Sequence, residues 1–540
     1  MGEIVIFSKQ RCPHCIEAKA ILGQLDVPVT EINLDDGPHS GMLMAAVTGK
    51  HTVPQIFFHE THIGGASDLK ALDEAGLRSG VASALDQSGR PWFLDKPPGD
   101  DELAEAVVPI KDLLDPHIPA DPTLVPEYAP VATWYASMFG FLCNLYDQMI
   151  LKPEPTALWM STLSALMVPM AKKIGPHFGT ICLSTAMKAG CSYCSAHGAD
   201  LAMKYAGDKS ANIKMLIDHL KYGDPELDDL PFDARLRSLI NVAQNMTTND
   251  VTVEDIECVR SAFGVLELRD ACVSVAAMGG IMGFLNRFND LIGVEIEASI
   301  KHAIDDSEIG SDWQWGTHDT ADEVNRYDRS DDSARENSPA DGPVDLNAVV
   351  VDVNKRIISQ VGYLFDKYGQ YPDQQLPAWI AILADDGVAR AVSSLYHSLF
   401  HDGDLSAELK HLAAYAMLIG SDRPGLAADE ERIVRTMSAD PDASSARLAA
   451  AAEFARSGNQ AKLTALDEQT VLALRLAKCA DHFPHIVRGE LVVKLGQAFT
   501  PQQIVELVMA LAVVGSGQRW SSVIGAFNRY TFCEGEREAT

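Results

Sequence analysis

Four of the ten cysteines form two Cys-x-x-Cys pairs, Cys12/Cys15 and Cys191/Cys194, and these pairs are the residues best suited to chemistry. In a reducing compartment such a pair indicates redox work or metal binding rather than a disulfide framework. Each pair precedes a predicted helix. The free N–H groups and the dipole at a helix start stabilise an anion, so a thiolate is favoured there.

The first pair lies in the segment Ser-Lys-Gln-Arg-Cys-Pro-His-Cys at 8–15, after a predicted strand. Lys9 and Arg11 add positive charge, so Cys12 is predicted to be the attacking thiolate. Cys15 lies on the same helical face and is predicted to resolve a mixed disulfide on Cys12. Taken alone, this pair could also be half of a zinc site.

Residues 3–80 resemble the glutaredoxin family through three segments in order. They are the Ser-Lys-x-x-Cys-Pro-x-Cys start, Thr-Val-Pro-Gln at 52–55, and Ile-Gly-Gly-Ala-Ser-Asp-Leu at 63–69. The resemblance implies an α/β thioredoxin fold, glutathione as the electron donor, and a cis Pro54 that places the Val53 backbone beside Cys12.

The resemblance also implies a glutathione site. In the family the Val53 backbone pairs with the cysteinyl part, the turn after the second glycine holds the γ-glutamyl end, and the Lys9 position helps to bind a carboxylate. His14 departs from the usual Tyr or Phe, and a histidine there would make the pair more oxidising. The implied glutathione-binding residues are Lys9, His14, Thr52, Val53, Pro54, Gly65, Ala66, Ser67 and Asp68.

The second pair lies in the segment 181–198, which is predicted to be a helix, a break at Gly190 and a second helix. His197 is three residues after Cys194, on the same face, so it could take the proton of Cys194. Two other interpretations remain open. The cysteines could be small core residues beside a surface histidine, or Cys191, Cys194 and His197 could bind a metal whose fourth ligand is not evident nearby.

Residues 150–300 resemble the alkylhydroperoxidase AhpD-like, carboxymuconolactone decarboxylase-like superfamily. The Ala-Gly-Cys-x-Tyr-Cys-x-Ala-His segment at 189–197 and the Asn-Arg-Phe-Asn-Asp-Leu-Ile-Gly segment at 286–293 carry this resemblance. It implies an all-α domain whose cysteine pair reduces hydroperoxides or disulfides, the second cysteine being peroxidatic. Two positions depart from the family: Gly179 replaces a relay glutamate, and Gly198 replaces the relay histidine.

The helical region is predicted to be a tandem duplication. Ala-Met-x-x-Gly at 186–190 recurs at 416–420, and Gly-x-x-Asn-Arg-Phe at 283–288 recurs as Gly-x-x-Gln-Arg-Trp at 515–520. Where the first copy has Cys191 and Cys194, the second has Ser421 and Pro424. The second copy is therefore predicted to be a degenerate, structural partner.

The predicted organisation is multidomain, because 540 residues exceed a single hydrophobic core. Strands are predicted at 3–8, 28–34, 55–59 and 62–64, and helices at 13–24 and from Ser67. The predicted domains are a glutaredoxin-like domain (1–85), a linker (86–124), an AhpD-like all-α domain (125–304), an acidic disordered linker (305–344) and a second AhpD-like all-α domain (345–540).

The composition excludes some partners. A net charge of −31 repels phosphate backbones and anionic lipid headgroups, so neither nucleic acid nor membrane is expected as a partner. The N-terminal sequence predicts neither a secretory signal nor a transit peptide, no segment has about 20 uninterrupted apolar residues, and a cytoplasmic location is expected.

The sequence thus predicts a thiol–disulfide oxidoreductase in which glutathione reduces Cys12/Cys15, which in turn reduces Cys191/Cys194. The second pair would reduce a hydroperoxide or a disulfide partner, with neither metal nor flavin. Two alternatives stay open. The helical copies could be a non-catalytic oligomerisation or binding platform, through which a homo-oligomer would form, or a decarboxylase-like acid–base catalyst.

Overall fold

The computed structural model describes the sheet, the helices and most of their connections. The predicted linkers at 86–124 and 305–344 lie largely outside the described part of the chain, as do Arg11 and Thr52. The described residues are 3–9, 12–25, 27–34, 38–48, 53–72, 74–87, 90–95, 109–119, 143–206, 209–310, 313, 346–370, 376–383, 386–481, 485 and 487–538.

The N-terminal elements form a four-stranded sheet with helices, as expected, and include one unexpected helix at 38–48. They are β1 Ile4–Ser8, α1 Pro13–Gly23, β2 Val29–Asn33, α2 Pro38–Thr48, β3 Gln55–Phe58, β4 Thr61–Gly64, α3 Ala66–Ala71 and α4 Glu74–Leu85. The strand order is β2-β1-β3-β4. β1 runs parallel to β2, and β3 pairs antiparallel with β1 and β4. This topology is consistent with a thioredoxin fold.

The period of two along β1 gives the sheet two different faces. Ile4 and Ile6 face a small separate core formed with α1, α3 and α4. Val5 and Phe7 face the other way and belong to the large core that continues into the helical region. The glutaredoxin-like region is therefore packed against the helices.

Part of the predicted first linker is folded. Its described residues include the short helices α5 (Trp92–Asp95) and α6 (Lys111–Leu114) and a 3-10 turn at Asp115–His117. Phe93, Ile110 and Leu114 are completely buried in the large core. These residues of the predicted linker are therefore part of the packed structure, because their apolar side chains anchor the segment between the sheet and the helices.

The rest of the described chain is helical, as predicted, and its helices begin and end at ordinary signals. The Asp233 and Thr252 side chains cap their helices, and Gly293 ends a long helix at a φ of 76°. The first copy contains α7 Leu145–Met149, α8 Pro153–Ala171, α9 Phe178–Ala189, α10 Ser192–Leu201, α11 Ser210–Tyr222, α12 Ala234–Thr247, α13 Val253–Phe263, α14 Val265–Ile292 and α15 Ala298–Asp305. The second contains α16 Leu346–Tyr368, α17 Ala378–Ala381, α18 Asp386–Phe400, α19 Ala407–Gly420, α20 Pro424–Met437, α21 Pro441–Ser457, α22 Glu468–Asp481, α23 Gly489–Ala498 and α24 Pro501–Glu538.

The two copies meet where α14 crosses α24. A Cβ atom on Gly283 would overlap the carbonyl of Gly515, so the glycine of the repeated motif is what allows this approach. The neighbouring contacts are reciprocal. Arg287 donates to Gln518, and Arg519 donates to Asn286 over 2.7 Å. The arginine of each motif thus contacts the side-chain amide of the other motif across the crossing.

Two helices are long and apolar enough, by length and composition, to cross a membrane. They are α14 and residues 501–532 of α24, which the count of uninterrupted apolar residues did not single out. Their apolar windows are 78% and 83% buried inside the protein. Core helices pass the same test of length and composition, and both of these helices lie largely in the core of this protein.

Candidate active site

The first cysteine pair has the geometry that the sequence predicts. Cys12 caps α1, and its sulfur accepts the N–H of Cys15 over 3.1 Å. The two sulfurs are joined in a disulfide. Cys15 is completely buried whereas Cys12 is half-buried, so an incoming thiol can reach the pair only at Cys12. His14, between them on α1, is also half-buried.

A cis-proline lies beside this disulfide. The Val53–Pro54 peptide bond is cis, as the resemblance implies, and the Val53 carbonyl oxygen is 3.6 Å from the Cys12 sulfur. Pro54 immediately precedes β3, which the sheet holds beside β1. The backbone edge expected to pair with the cysteinyl part of glutathione therefore lies next to the attacking sulfur.

The expected γ-glutamyl end of the site is the turn before α3. The Gly65 N–H donates to the exposed Asp68 carboxylate over 2.8 Å, which fixes the helix start. Ala66 is buried, and the Ser67 side chain lies outside the described part of the structure. Gly65 and Asp68 are thus engaged with each other.

Lys9 is buried in ion pairs within the chain. Its Nζ atom lies 2.6 Å from an Asp112 oxygen and 3.0 Å from an Asp115 oxygen. Burial alone would lower the pKa of Lys9, but these two carboxylates outweigh it and raise the pKa well above its usual value. The lysine expected to bind a glutathione carboxylate therefore already binds two carboxylates from the folded linker segment.

The second cysteine pair repeats the local geometry of the first. Gly190, at a φ of 73°, ends α9, and Cys191 caps α10. The Cys191 sulfur accepts the N–H of Cys194 over 3.4 Å. Both cysteines are free thiols and both are buried, with exposures of 0% and 3%.

Amide groups stabilise the Cys194 sulfur. Asn289, on α14, donates to it over 3.3 Å. Burial alone would raise the pKa of Cys194, but hydrogen bonds from the Cys191 thiol and the Asn289 amide outweigh this and lower it. Burial and the nearby Asp290 raise the pKa of Cys191. Of the two, Cys194 therefore ionises more readily and Cys191 retains its proton more readily.

The second predicted copy contributes a cation to the surroundings of the Cys194 sulfur. Arg519, completely buried, donates to the side-chain oxygen of Asn286, three residues before Asn289 on α14. Burial lowers the pKa of Arg519, as does the neighbouring Arg287, while the charges of Cys194 and Cys191 raise it. The sequence analysis included Arg519 only as part of the repeated motif that indicates a duplication.

The second copy itself has no cysteine pair. Ser421 follows α19, where its hydroxyl donates to the Met417 carbonyl over 2.8 Å, and Pro424 begins α20. The helix break is retained but the sulfurs are absent, as the sequence shows.

Close packing of two helices explains the two family departures. A Cβ atom on Gly179 of α9 would overlap the backbone of Leu201 and Ala202. A Cβ atom on Gly198 of α10 would lie 2.6 Å from the Leu183 backbone nitrogen. A glutamate or histidine side chain at these positions would overlap the neighbouring helix as it is packed here.

His197 instead belongs to a different buried cluster. Its Nε2 atom lies 3.0 Å from an oxygen of Glu297, and its Nδ1 atom lies 2.9 Å from the Tyr193 carbonyl. Burial alone would lower the pKa of His197, but the Glu297 carboxylate and the Cys143 thiol raise it well above its usual value. These contacts do not support the predicted role as proton acceptor for Cys194, because the two ring nitrogens face Glu297 and the Tyr193 carbonyl.

The sequence analysis missed Glu297 and Cys143. Glu297 is completely buried and accepts the Tyr193 hydroxyl over 2.7 Å and the Asn144 N–H over 2.6 Å. It is about one hundred residues from His197 in sequence, so spacing carries no signal of the contact. A buried glutamate just before a helix is recognisable only once the fold is known.

A chain of polar contacts connects the surroundings of the two cysteine pairs. Lys111 contacts Asp115, which also pairs with Lys9 near Cys12. Lys111 also lies 3.3 Å from Glu295. Glu295 is two residues before Glu297, and its carbonyl accepts the Asn144 side chain over 2.9 Å. The folded linker segment therefore contacts Lys9 of the first site and Glu295, which lies two residues before Glu297 in the cluster around His197.

A disulfide at the start of the first helix, beside a cis-proline in a four-stranded sheet, places the N-terminal region among the thiol–disulfide oxidoreductases. Comparison with known proteins narrows that class. The glutaredoxin family model matches residues 4–63. The chain is 42% identical over 84 residues to a glutaredoxin of Pseudomonas aeruginosa, covering 16% of the chain and all of that protein. It is 41% identical over 76 residues to glutaredoxin 3 of Escherichia coli strain K12, covering 14% of the chain and 92% of that protein.

The chain therefore belongs to the glutaredoxin family through its N-terminal region, which is a glutaredoxin-type thiol–disulfide oxidoreductase domain. No solved structure matches the chain.

Proposed function

We propose that this protein is a two-site thiol–disulfide oxidoreductase. Glutathione reduces Cys12/Cys15, this dithiol reduces a disulfide at Cys191/Cys194, and the second pair reduces a hydroperoxide or a disulfide partner. The observation that carries the proposal is the repeated cap geometry, in which the first sulfur of each pair accepts the N–H of the second cysteine. The helical region is proposed to be a pair of AhpD-like domains, the second without its own redox pair.

The electrons balance along this path. Two glutathione thiols reduce the Cys12–Cys15 disulfide and leave as one glutathione disulfide. Cys12 attacks the disulfide of the second pair, and Cys15 resolves the mixed disulfide. The Cys194 thiolate then attacks one oxygen of a hydroperoxide, releasing an alcohol and forming a sulfenic acid. Cys191 condenses with it, water leaves, and the disulfide forms again.

The folded linker supports direct transfer between the sites. The ion pairs from Lys9 through Asp115 and Lys111 to Glu295 hold the glutaredoxin region against the helices near α10. Such docking raises the effective concentration of one pair near the other without a long flexible tether.

Burial defines what the second pair can accept. Both sulfurs are shielded from solvent, so exchange with any protein thiol, Cys12 included, requires α10 to open, and the preferred terminal substrate is small. The Asn289 amide stabilises the Cys194 thiolate by a hydrogen bond. The relay residues expected at positions 179 and 198 would otherwise assist the thiolate. A small hydroperoxide fits these requirements better than a protein disulfide.

The test is glutathione-dependent peroxide consumption by the full chain, coupled to glutathione reductase and NADPH. We expect Cys191→Ser to abolish it, while Cys272→Ser, at another buried cysteine on α14, leaves it unchanged. Cys12→Ser should abolish it too, and dithiothreitol should restore consumption in that variant because it reduces the second pair directly. Unchanged consumption in Cys191→Ser would disprove the path.

A second candidate function is a glutaredoxin carried on a non-catalytic helical platform. The complete burial of Cys191 favours it, because an inert core cysteine is also buried. On this alternative, the Cys12→Ser variant would be inactive with every reductant. The Cys191→Ser variant would reduce a model disulfide with glutathione at the unchanged rate.

A further inference from the structure

Three potential metal ligands converge at a point that the proposed dithiol reaction does not use. Cys143 precedes α7, His197 lies on α10, and Glu297 precedes α15. One ligand atom from each, a sulfur, a nitrogen and an oxygen, lies within 4.8 Å of both others, and all three residues are buried. We propose that Cys143, His197 and Glu297 bind one Zn²⁺ ion with an open fourth coordination position.

The spacing of the ligand atoms fits a small tetrahedral ion. Zinc bonds of about 2.0 Å to nitrogen or oxygen and about 2.3 Å to sulfur place neighbouring ligand atoms roughly 3.3–3.6 Å apart. The His197 Nε2 atom and the nearest Glu297 oxygen are 3.0 Å apart. A shift of a few tenths of an ångström therefore makes room for the ion.

The hydrogen bonds around the cluster orient its donors inward. His197 donates through Nδ1 to the Tyr193 carbonyl, which directs Nε2 toward Glu297 and Cys143. One Glu297 oxygen accepts both the Asn144 N–H and the Tyr193 hydroxyl, while the other faces His197. Histidine and carboxylate ligands of metals are held in this way, by a second hydrogen bond that fixes ring and carboxylate orientation.

The charges of the ligands match a divalent ion. A Cys143 thiolate, a Glu297 carboxylate and a neutral His197 sum to −2, so one Zn²⁺ makes the buried site neutral. Each ligand binds the ion through a deprotonated atom, so zinc and protons compete for the site. The mixture of sulfur, nitrogen and oxygen donors favours zinc over magnesium or calcium, which take oxygen ligands.

The fourth position is open among the described residues, since no further histidine, cysteine or acid there joins this group of three. Zinc sites with three protein ligands commonly hold water or substrate in the remaining position. This site is separate from the proposed electron path, which uses neither Cys143 nor Glu297. It departs from the expectation of no metal, which considered only ligands close in sequence to Cys191 and Cys194.

The test uses the full chain carrying Cys12→Ser and Cys15→Ser, which removes the accessible dithiol. After loading with Zn²⁺ and dialysis, elemental analysis should find one zinc per chain. Glu297→Gln should weaken zinc binding by at least about tenfold. Adding Cys191→Ser and Cys194→Ser should retain one zinc, as should Cys272→Ser. Circular dichroism identifies any variant that does not fold.

Co²⁺ can be loaded into the Cys12→Ser, Cys15→Ser chain, in which Cys143, His197 and Glu297 are unmutated. This gives a second measurement that does not depend on the folding of a cluster variant. We expect the charge-transfer absorption of a single thiolate. Absence of bound zinc, an absorption that requires two thiolates, or wild-type affinity in Glu297→Gln would each overturn the proposal. The two-thiolate result would assign the ion to Cys191/Cys194 instead.

Discussion

The two cysteine pairs have the same backbone turn and opposite surroundings. Cys12 caps its helix at φ −87° and ψ 113°, and Cys191 does so at φ −84° and ψ 100°. Cys12 is half-buried beside a cis-proline, whereas Cys191 and Cys194 lie in the core beside side-chain amides. A short sequence motif therefore determines the turn, while accessibility and charge come from distant parts of the chain.

The largest expected difference between the pairs is in access. In the reduced protein, a bulky aromatic disulfide reagent should modify Cys12 at least about 100-fold faster than Cys194, because an opening that costs about 3 kcal/mol lowers the rate by that factor. Mass spectrometry of quenched samples measures both rates. The difference between the two modification rates should disappear in urea. Equal rates in native buffer would mean that burial does not distinguish the pairs.

The next effect concerns the thiolate of the second pair. Asn289→Ala should raise the pKa of Cys194 by roughly one unit, the effect of one hydrogen bond to a charged group, about 1.4 kcal/mol. The rate of alkylation by iodoacetamide falls as pH falls through this pKa, so in the variant the fall should occur at higher pH. Asn241→Ala, whose amide contacts Asp255, is the control and should leave the profile in place.

A smaller effect should come from the second copy. Arg519→Gln removes a buried positive charge near Cys194 and should lower thiolate reactivity about threefold, a change of roughly 0.7 kcal/mol. Arg519→Lys should restore part of it, which a purely structural role would not predict. Arg287→Gln is the matched control, because that arginine contacts Gln518 and the Ala480 carbonyl. Equal effects at both arginines would contradict a specific role for Arg519.

The smallest expected effect is at the glutaredoxin site. Asp112→Asn removes one of the two ion pairs of Lys9 and should lower the KM for glutathione about two- to threefold by freeing the ammonium for a substrate carboxylate. Asp404→Asn removes a comparable partner of Lys152 in the second copy and serves as the control. An unchanged KM would mean that Lys9 does not contribute to glutathione binding.

Local patterns predicted the elements that depend on neighbouring residues. The strands near 4–8 and 55–58, the helix after Cys12 and the break at Gly190 follow from alternation, apolar period and glycine. The helix Pro38–Thr48 was missed, because its small and apolar residues have almost no amphipathic period.

Contacts between distant segments could not be predicted. Lys9 meets Asp112 more than one hundred residues away, and His197 meets Glu297 at a similar separation. The replacement of relay residues by Gly179 and Gly198 was visible in sequence, but its reason, the close approach of α9 and α10, was not. Side-chain chemistry was identified from sequence, whereas its partners required the fold.

The sheet face formed by Val5, Phe7 and Phe57 has a consequence for how this protein can be taken apart. The relative of 84 residues is complete without any helical body, but here that face is part of the main hydrophobic core. Cutting the chain after residue 85 would expose apolar surface on both fragments and favour aggregation. Because the sheet shares that core with the helices, single substitutions, not truncations, are the appropriate way to separate the activities of this chain.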